Sequence, residues 1–137
     1  MTTILAAALW SIGLAPTQCY AFAAPRPGDA TFAKWIATLP FETFRMEFGH
    51  DVVPHVPLDL WLPLLWRIRQ PLALDFAPCG QLLYAPVNGV ASFITDAASI
   101  ERRRRWGLFW NTRYWGQHHH LPSYREALAT FIDEVLP

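Results

Sequence analysis

The order of helical and extended patterns in the first fifty residues narrows the fold of this chain more than any other feature of its sequence. Residues 1–14 are rich in Ala and Leu and apolar on nearly every side, which predicts a buried helix. The short apolar segment 17–24 predicts a central strand, residues 31–39 a second helix, and residues 42–49 a second strand. Because consecutive parallel strands are joined by right-handed crossovers, we expect an α/β fold with a mostly parallel sheet flanked by helices.

Residues with strong local preferences mark the ends of these predicted elements. Gly13 and Pro16 are expected to terminate the first helix. Either Asp29 or Thr31 can cap the second helix, because both side chains carry an oxygen that can accept from a free backbone N–H. The local signals therefore agree with the hydrophobic pattern.

The middle of the chain is less regular. Residues 57–70 contain two Trp and five Leu and predict a broken helix or a packed loop. Residues 71–95 predict strands around a turn at Gly80 and another at the Asn-Gly pair of positions 88–89, since Asn-Gly favours a hairpin.

The last third of the chain contains two helical patterns. Residues 96–110 could form a helix, with the arginine run inside it as a solvated face. Residues 121–136 predict an amphipathic helix with Pro122 in its first turn. Because no linker or internal repeat interrupts the sequence, we expect residues 1–137 to form a single domain.

The composition leaves this chain short of polar surface. It is 53% hydrophobic and only 16% charged, whereas soluble chains average roughly 25% charged residues. Such a chain either meets a membrane, binds a partner or lacks part of its own fold. The formal net charge is zero, which argues against a nucleic-acid partner. Cys19 and Cys79 are too few for a disulfide framework, and we expect Cys19 to be a buried thiol.

The apolar N-terminus has two interpretations. Residues 4–15, followed by AFAAP at 21–25, imitate the core and the cleavage site of a signal peptide. However, no Lys or Arg precedes Arg26, and the apolar run is shorter than the roughly 20 residues that span a bilayer. A packed helix and a buried strand account for the same residues. Composition alone therefore leaves the location, cytoplasmic or secreted, open.

Two groups that could do chemistry follow predicted elements at the same edge of the sheet. Asp51 comes directly after the strand at 42–49, and His118, His119 and His120 precede the last helix. Catalytic groups of open α/β sheets gather at the carboxyl ends of the strands. An Asp that precedes a His in sequence matches the last two members of a Ser…Asp…His order. The alternative is that Asp51 caps a turn and the histidines are merely exposed.

A metal site is not expected. Consecutive histidines cannot all face one ion, and no Cys or carboxylate stands at a suitable ligand spacing. We also expect no cofactor.

Four segments resemble the C-terminal half of the class 3 lipases, the fungal-type triacylglycerol lipase family of the α/β-hydrolase fold. Residues 20–36 resemble the family's strand, Pro-Arg-x-Gly turn and following helix. Residues 44–57 resemble its strand and Asp-Val-Val-Pro motif, and residues 119–128 its terminal His with a Tyr about five positions later. Residues 1–10 resemble the helix that follows the nucleophile turn. The resemblance favours a core helix over a signal peptide at the N-terminus, and a partial α/β-hydrolase fold.

The resemblance implies roles for particular residues. Asp51 would be the acid of the triad and His119 the base, with His120 as the alternative. His119 is preferred for its spacing to Tyr124, and His118 is expected to project to the other side of an extended chain together with His120.

Two further histidines and the serines complete the implications for the site. His50 and His55 are expected to be structural. No Gly-x-Ser-x-Gly occurs in these 137 residues, so the nucleophile and the oxyanion hole of the family would lie before Met1.

The resemblance implies a lipase or esterase, a serine hydrolase of carboxylic esters such as triacylglycerol. We expect this chain alone to be inactive, because the nucleophile is missing. The alternative is a catalytically inactive fragment that acts as a binding or partner-dependent protein. The expected partners are a lipid or small ester, with contact to a lipid interface and self-association as further options. Because the family's N-terminal strands are missing, we expect the helix at 1–14 and the strand at 17–24 to expose the apolar surface for self-association.

Overall fold

The structure is a computed structural model, and it describes residues 2–56, 76–95 and 115–135. The strands of the described residues are β1 (Gln18–Phe22), β2 (Gly28–Asp29), β3 (Glu42–Phe48), β4 (Phe76–Ala77), β5 (Gln81–Ala85) and β6 (Ser92–Ile94). The helices are α1 (Thr2–Ser11), α2 (Ala30–Ile36), α3 (Trp115–His118) and α4 (Leu121–Val135). A 3₁₀ turn spans Val53–His55.

The main sheet has four strands in the order β1-β3-β5-β6, and β2 and β4 form a separate antiparallel pair. Strands β1, β3 and β5 run parallel, and β6 pairs antiparallel with β5 through a hairpin that contains the Asn-Gly pair. The prediction of an α/β fold with a mostly parallel sheet is therefore confirmed.

Strand β1 was predicted to be central, and this prediction is wrong within the described sheet, where β1 forms one edge. Its residues alternate between exposed and buried, and Cys19 and Ala21 face the core. Tyr20 stacks on Phe44 of β3, its neighbour in the register, with ring centroids 5.2 Å apart. The apolar pattern indicated a strand correctly, but it could not distinguish a buried strand from one with an exposed aromatic face.

Helix α1 is shorter and more exposed than the sequence predicts. It ends at Ser11, and Gly13 follows in the left-handed region with a φ of 82°. Only Thr3, Ala6 and Ala7 are buried, because one narrow face of the helix packs on the sheet. The prediction of a helix buried on nearly every side is therefore wrong.

Helix α2 begins at a side-chain cap. Asp29 Oδ1 accepts a hydrogen bond of 2.7 Å from Phe32 N, whereas Thr31 lies inside the helix. Of the two predicted alternatives, Asp29 is therefore the cap. At the other end of the helix, Ile36 packs with Ala7 in one buried cluster.

Helix α4 covers the opposite face of the sheet from α1 and α2. Its Tyr124 packs in a cluster with Met46, Leu83 and Ala85, residues of β3 and β5. The prediction of a helix from residue 121 is confirmed. This packing places the start of α4 beside the end of β3.

Both cysteines are buried free thiols, as predicted for Cys19. Burial raises the pKa of Cys79 to about 11. Among the described residues, no helix is long and apolar enough to cross a membrane. The predictions for residues 57–70 and 96–110 lie outside the described residues.

Candidate functional site

Asp51 lies just beyond the carboxyl end of β3, and its side chain is fully buried. The chain turns at Gly49, whose φ is 51° and whose N–H donates to Ala85 O at 2.8 Å. Asp51 N donates back to Phe48 O at 3.0 Å, and Asp51 Oδ1 accepts from Val53 N at 2.9 Å. Hydrogen bonds to residues before and after Asp51 therefore hold the carboxylate in one position.

His119 approaches this carboxylate from the turn between α3 and α4. Its Nδ1 lies 2.9 Å from Asp51 Oδ2 and 3.2 Å from Oδ1. The His119 side chain is 41% exposed, whereas that of Asp51 is 0% exposed. The structure thus brings together the two residues that the sequence predicted as a pair, with the acid inside and the imidazole at the surface.

Tyr124 completes the surroundings of the carboxylate. Its hydroxyl donates to Asp51 Oδ2 at 2.6 Å and accepts from Phe48 N at 3.1 Å. Burial raises the pKa of Tyr124 well above its ordinary value, and the hydrogen bond to Asp51 raises it further. Tyr124 therefore stays protonated and keeps its donor. The sequence analysis used Tyr124 only for its spacing from His119 and did not predict its contact with Asp51. The signal that could have found this contact was the predicted position of Tyr124 near the start of the last helix.

His118 does not point away from the site as predicted. The chain is helical through His118 rather than extended, so alternation of side chains does not apply there. Its Nδ1 accepts a hydrogen bond of 2.8 Å from His50 N, next to Asp51 in the chain. The prediction for His118 is therefore wrong.

His120, the alternative to His119, is exposed. In the part of the chain that the structure describes, it is not among the residues that hydrogen-bond Asp51; its carbonyl accepts from Ser123 N at 3.1 Å. The geometry favours His119 as the partner of the carboxylate.

His55, in the 3₁₀ turn that follows Asp51, is close to charged side chains of β3. His55 Nε2 is 3.6 Å from Glu47 Oε2, both side chains are buried, and Arg45 forms an ion pair with Glu47. Arg26 N donates to Val56 O at 2.9 Å. These contacts fix the chain that follows Asp51.

Three of the four serines lie in the described residues. Ser11 is in the last turn of α1 with its hydroxyl bonded to Ala8 O, Ser92 begins β6, and Ser123 is inside α4. None of these three occupies a turn from a strand into a helix. Ser99 lies outside the described residues.

The arrangement of Asp51 and His119 suits general base chemistry. When Nδ1–H of His119 donates to the carboxylate, the neutral ring carries a lone pair on Nε2, which can take a proton from a nucleophile. Among the described residues, no group of three or more His, Cys, Asp or Glu side chains could hold a metal ion.

Comparisons with known proteins find similarity to lipases in sequence and in fold. The family model for class 3 lipases matches residues 1–61. No curated protein matches the chain.

Among solved structures, the triacylglyceride lipase of Rhizomucor miehei is similar with a TM-score of 0.50 and 20% identity, over 72% of this chain and 37% of that chain. A second triacylglycerol lipase structure is similar with a TM-score of 0.48 and 18% identity, over 72% of this chain and 37% of that chain. The chain thus spans little more than a third of the length of the solved lipases that it matches. It resembles the class 3 lipases in sequence over residues 1–61, and it has part of the α/β-hydrolase fold.

Proposed function

We propose that this chain supplies the acid and the base of a serine-hydrolase triad that cleaves carboxylic esters of lipids. The observation that carries the proposal is the 2.9 Å contact between His119 Nδ1 and the buried Asp51 carboxylate. It lies at the carboxyl end of a parallel strand, where active sites of α/β sheets form. The resemblance to class 3 lipases and the name of the Rhizomucor miehei triacylglyceride lipase support an ester of glycerol as the substrate class.

The proposed reaction is acyl transfer in two steps. A serine Oγ attacks the ester carbonyl while His119 Nε2 takes the serine proton, and the protonated imidazole then donates that proton to the leaving alcohol. Water repeats the sequence on the acyl-serine, with His119 again as the base, and releases the acid. Asp51 keeps the Nδ1–H tautomer of His119 and stabilises the imidazolium that forms in each step.

The proposal places the nucleophile outside these 137 residues, because the sequence contains no Gly-x-Ser-x-Gly. In class 3 lipases this turn leads directly into the helix that α1 resembles. We therefore propose that the 137-residue chain alone does not turn over esters, since it supplies neither the serine nor the backbone donors of an oxyanion hole.

The test compares the 137-residue chain with a version extended at its N-terminus through an oxyanion loop and a Gly-x-Ser-x-Gly turn. We expect p-nitrophenyl acyl esters to be hydrolysed only by the extended chain. Asp51→Asn should lower kcat of the extended chain by about 10⁴, because Asn stabilises the wrong tautomer of the base. Asp29→Asn makes the same chemical change at the α2 cap and should leave kcat unchanged. A folded extended chain that is inactive, or one that Asp51→Asn leaves active, would refute the proposal.

A second candidate function is partner-dependent binding, and the exposed apolar surface favours it. Tyr20 and Phe22 of β1 are 51% and 44% exposed, and Leu5 of α1 is 58% exposed. The sheet face beside α4 has a cavity of about 300 Å³. The side chains that line it include Tyr20, Phe22, Phe44, Phe93, Leu128 and Phe131.

In the isolated chain, partner-dependent binding can be measured as self-association through this face. Light scattering after size-exclusion chromatography should find dimers or larger species of the 137-residue chain, and Phe22→Ser should shift the population toward monomer. Ser11→Ala, on the exposed end of α1, is the control. A compact, soluble monomer at all concentrations would exclude this candidate for the isolated chain.

A further inference from the structure

The contact between His118 and His50 joins the two segments that carry Asp51 and His119. His50 N–H donates to His118 Nδ1 at 2.8 Å, and each of these residues directly precedes a member of the candidate pair. The His119–Asp51 contact lies one residue further along both segments. Two successive residues of one segment are therefore bonded to two successive residues of the other.

The ring of His118 is seated by more than this hydrogen bond. It meets the Phe48 ring edge to face, with centroids 5.6 Å apart and planes at 80°, and it lies 5.5 Å from the His50 ring. Phe48 is the last residue of β3. The imidazole is thus positioned against the strand end from which the Asp51 turn departs.

Gly49 shows how close this approach is. A Cβ added at Gly49 would lie 2.8 Å from His118 Nδ1 and 2.8 Å from Val87 Cγ2. The φ of 51° at Gly49 also belongs to the region that favours glycine. The turn before Asp51 therefore fits the His118 ring only when residue 49 has no side chain.

We infer that His118 is a positioning residue, whose neutral imidazole accepts the His50 N–H at Nδ1 and thereby holds the Asp51 turn in register with His119. The catalytic purpose of this positioning rests on the proposed function, but its effect on the Asp51 turn can be measured without catalysis. An accepting Nδ1 requires the tautomer with hydrogen on Nε2. His118 and His119 therefore carry opposite tautomers, since His119 presents Nδ1–H to Asp51.

Protonation of His118 would remove the acceptor. Burial lowers the pKa of His118, the neighbouring His50 ring lowers it further, and the Asp51 carboxylate opposes both. The folded chain therefore binds this proton less readily than the unfolded chain does. The stability that neutral His118 contributes is present above the ordinary histidine pKa of about 6.5 and declines as the pH falls below it.

Two-bond ¹H–¹⁵N spectra of the 137-residue chain test the tautomer directly at pH 8. We expect His118 to carry its hydrogen on Nε2, with Nδ1 unprotonated, and His119 to carry its hydrogen on Nδ1. On acidification, the protonation of His118 should be accompanied by a lower protection factor at the His50 amide, the ratio of its intrinsic to its observed exchange rate at each pH. A His118 ring with hydrogen on Nδ1 at pH 8 would overturn the inference.

Variants test whether the contact positions His119. His118→Leu should speed amide exchange at His50 by about fivefold, the factor expected for one lost hydrogen bond, and should weaken the His119 Nδ1–H signal. His118→Asn can offer an acceptor oxygen near the Nδ1 position and should restore both signals in part. His120→Leu is the matched control, since His120 is exposed, and should leave both unchanged.

The outcomes separate this inference from the proposed function. If His118→Leu leaves the His119 Nδ1–H signal as in the parent chain, His118 is not a positioning residue, whatever the extended chain hydrolyses. If the signal weakens while the extended chain remains inactive, the inference stands and the proposed hydrolase function fails. The pH titration of the parent chain gives the same answer should the Leu variant not fold.

Discussion

At the scale of single residues, the Asp51 carboxylate is held by several donors inside the protein. Val53 N–H reaches one oxygen, the Tyr124 hydroxyl the other, and His119 Nδ1 lies within 3.2 Å of both. A buried charge costs several kcal/mol unless its lone pairs are satisfied. These contacts supply hydrogen-bond donors to both oxygens of a fully buried acid beside an exposed imidazole.

Replacing Tyr124 by Phe removes one of these donors and the acceptor of Phe48 N–H. We expect Tyr124→Phe to lower the free energy of unfolding by about 1.5–3 kcal/mol, because the lost bond ends on a charged group. Urea denaturation measures this change. Tyr20→Phe removes a hydroxyl that bonds Gln18 at the surface, and it should change stability by less than about 0.5 kcal/mol. Equal effects of the two variants would contradict the account of Tyr124.

The sequence predicted some of these residues and not others, for physical reasons. Asp51 and His119 follow from strand order and from a family motif, and the 68 positions that separate them do not matter to either argument. His118 was misplaced because side-chain alternation was applied to a segment that is helical up to that residue. The direction of a side chain next to a helix end depends on local φ and ψ, which the residue types alone do not determine.

At the scale of elements, the close approach of β5 to β3 sets the geometry of the sheet beneath the site. Gly80 directly precedes β5 and has a φ of 84°. A Cβ at Gly80 would lie 2.4 Å from the backbone oxygen of Thr43 in β3. Here glycine is required both by backbone conformation and by space.

Gly13, after α1, meets the requirement of backbone conformation but not the requirement of space. Its φ is 82°, but a Cβ there would meet nothing within 4 Å. Gly13→Ala should therefore cost about 1–2 kcal/mol from the left-handed backbone alone. Gly80→Ala should cost roughly 1–3 kcal/mol more, because a strand must also move. Thermal unfolding of both variants measures the difference, and a Gly80→Ala variant as stable as Gly13→Ala would show that β5 can shift freely.

The types of the larger described elements were predictable, whereas β2 was not predicted and the segment of α3 was predicted to be extended chain. The α2 cap, strand β3, the β5–β6 hairpin and helix α4 follow from turn residues and hydrophobic period. The apolar patterns of helix α1 and strand β1 predicted cover on all sides, whereas the missing N-terminal strands of the family predicted apolar surface on both, and Leu5 and Tyr20 are exposed. An apolar residue shows what an element can bury, whereas the neighbouring elements decide what it does bury.

At the scale of the whole molecule, the described residues include a sheet with one partly exposed aromatic face. Parallel sheets are normally covered on both faces, and α4 covers the cluster around Met46 while Tyr20 and Phe22 stay half exposed. The low charge content of the sequence predicted a surface of this kind. The resemblance also indicated its position, because the strand at 17–24 loses a neighbour when the family's preceding strands are missing.

The central claim is that Asp51 holds His119 in the tautomer with hydrogen on Nδ1, across 68 positions of sequence. The most direct measurement is the tautomer of His119 by two-bond ¹H–¹⁵N spectroscopy in the parent chain and in Asp51→Asn at pH 8. The account predicts hydrogen on Nδ1 in the parent chain and a change to hydrogen on Nε2 in the variant, since the Asn amide donates where the carboxylate accepted. A His119 ring with the same tautomer in both proteins would contradict it.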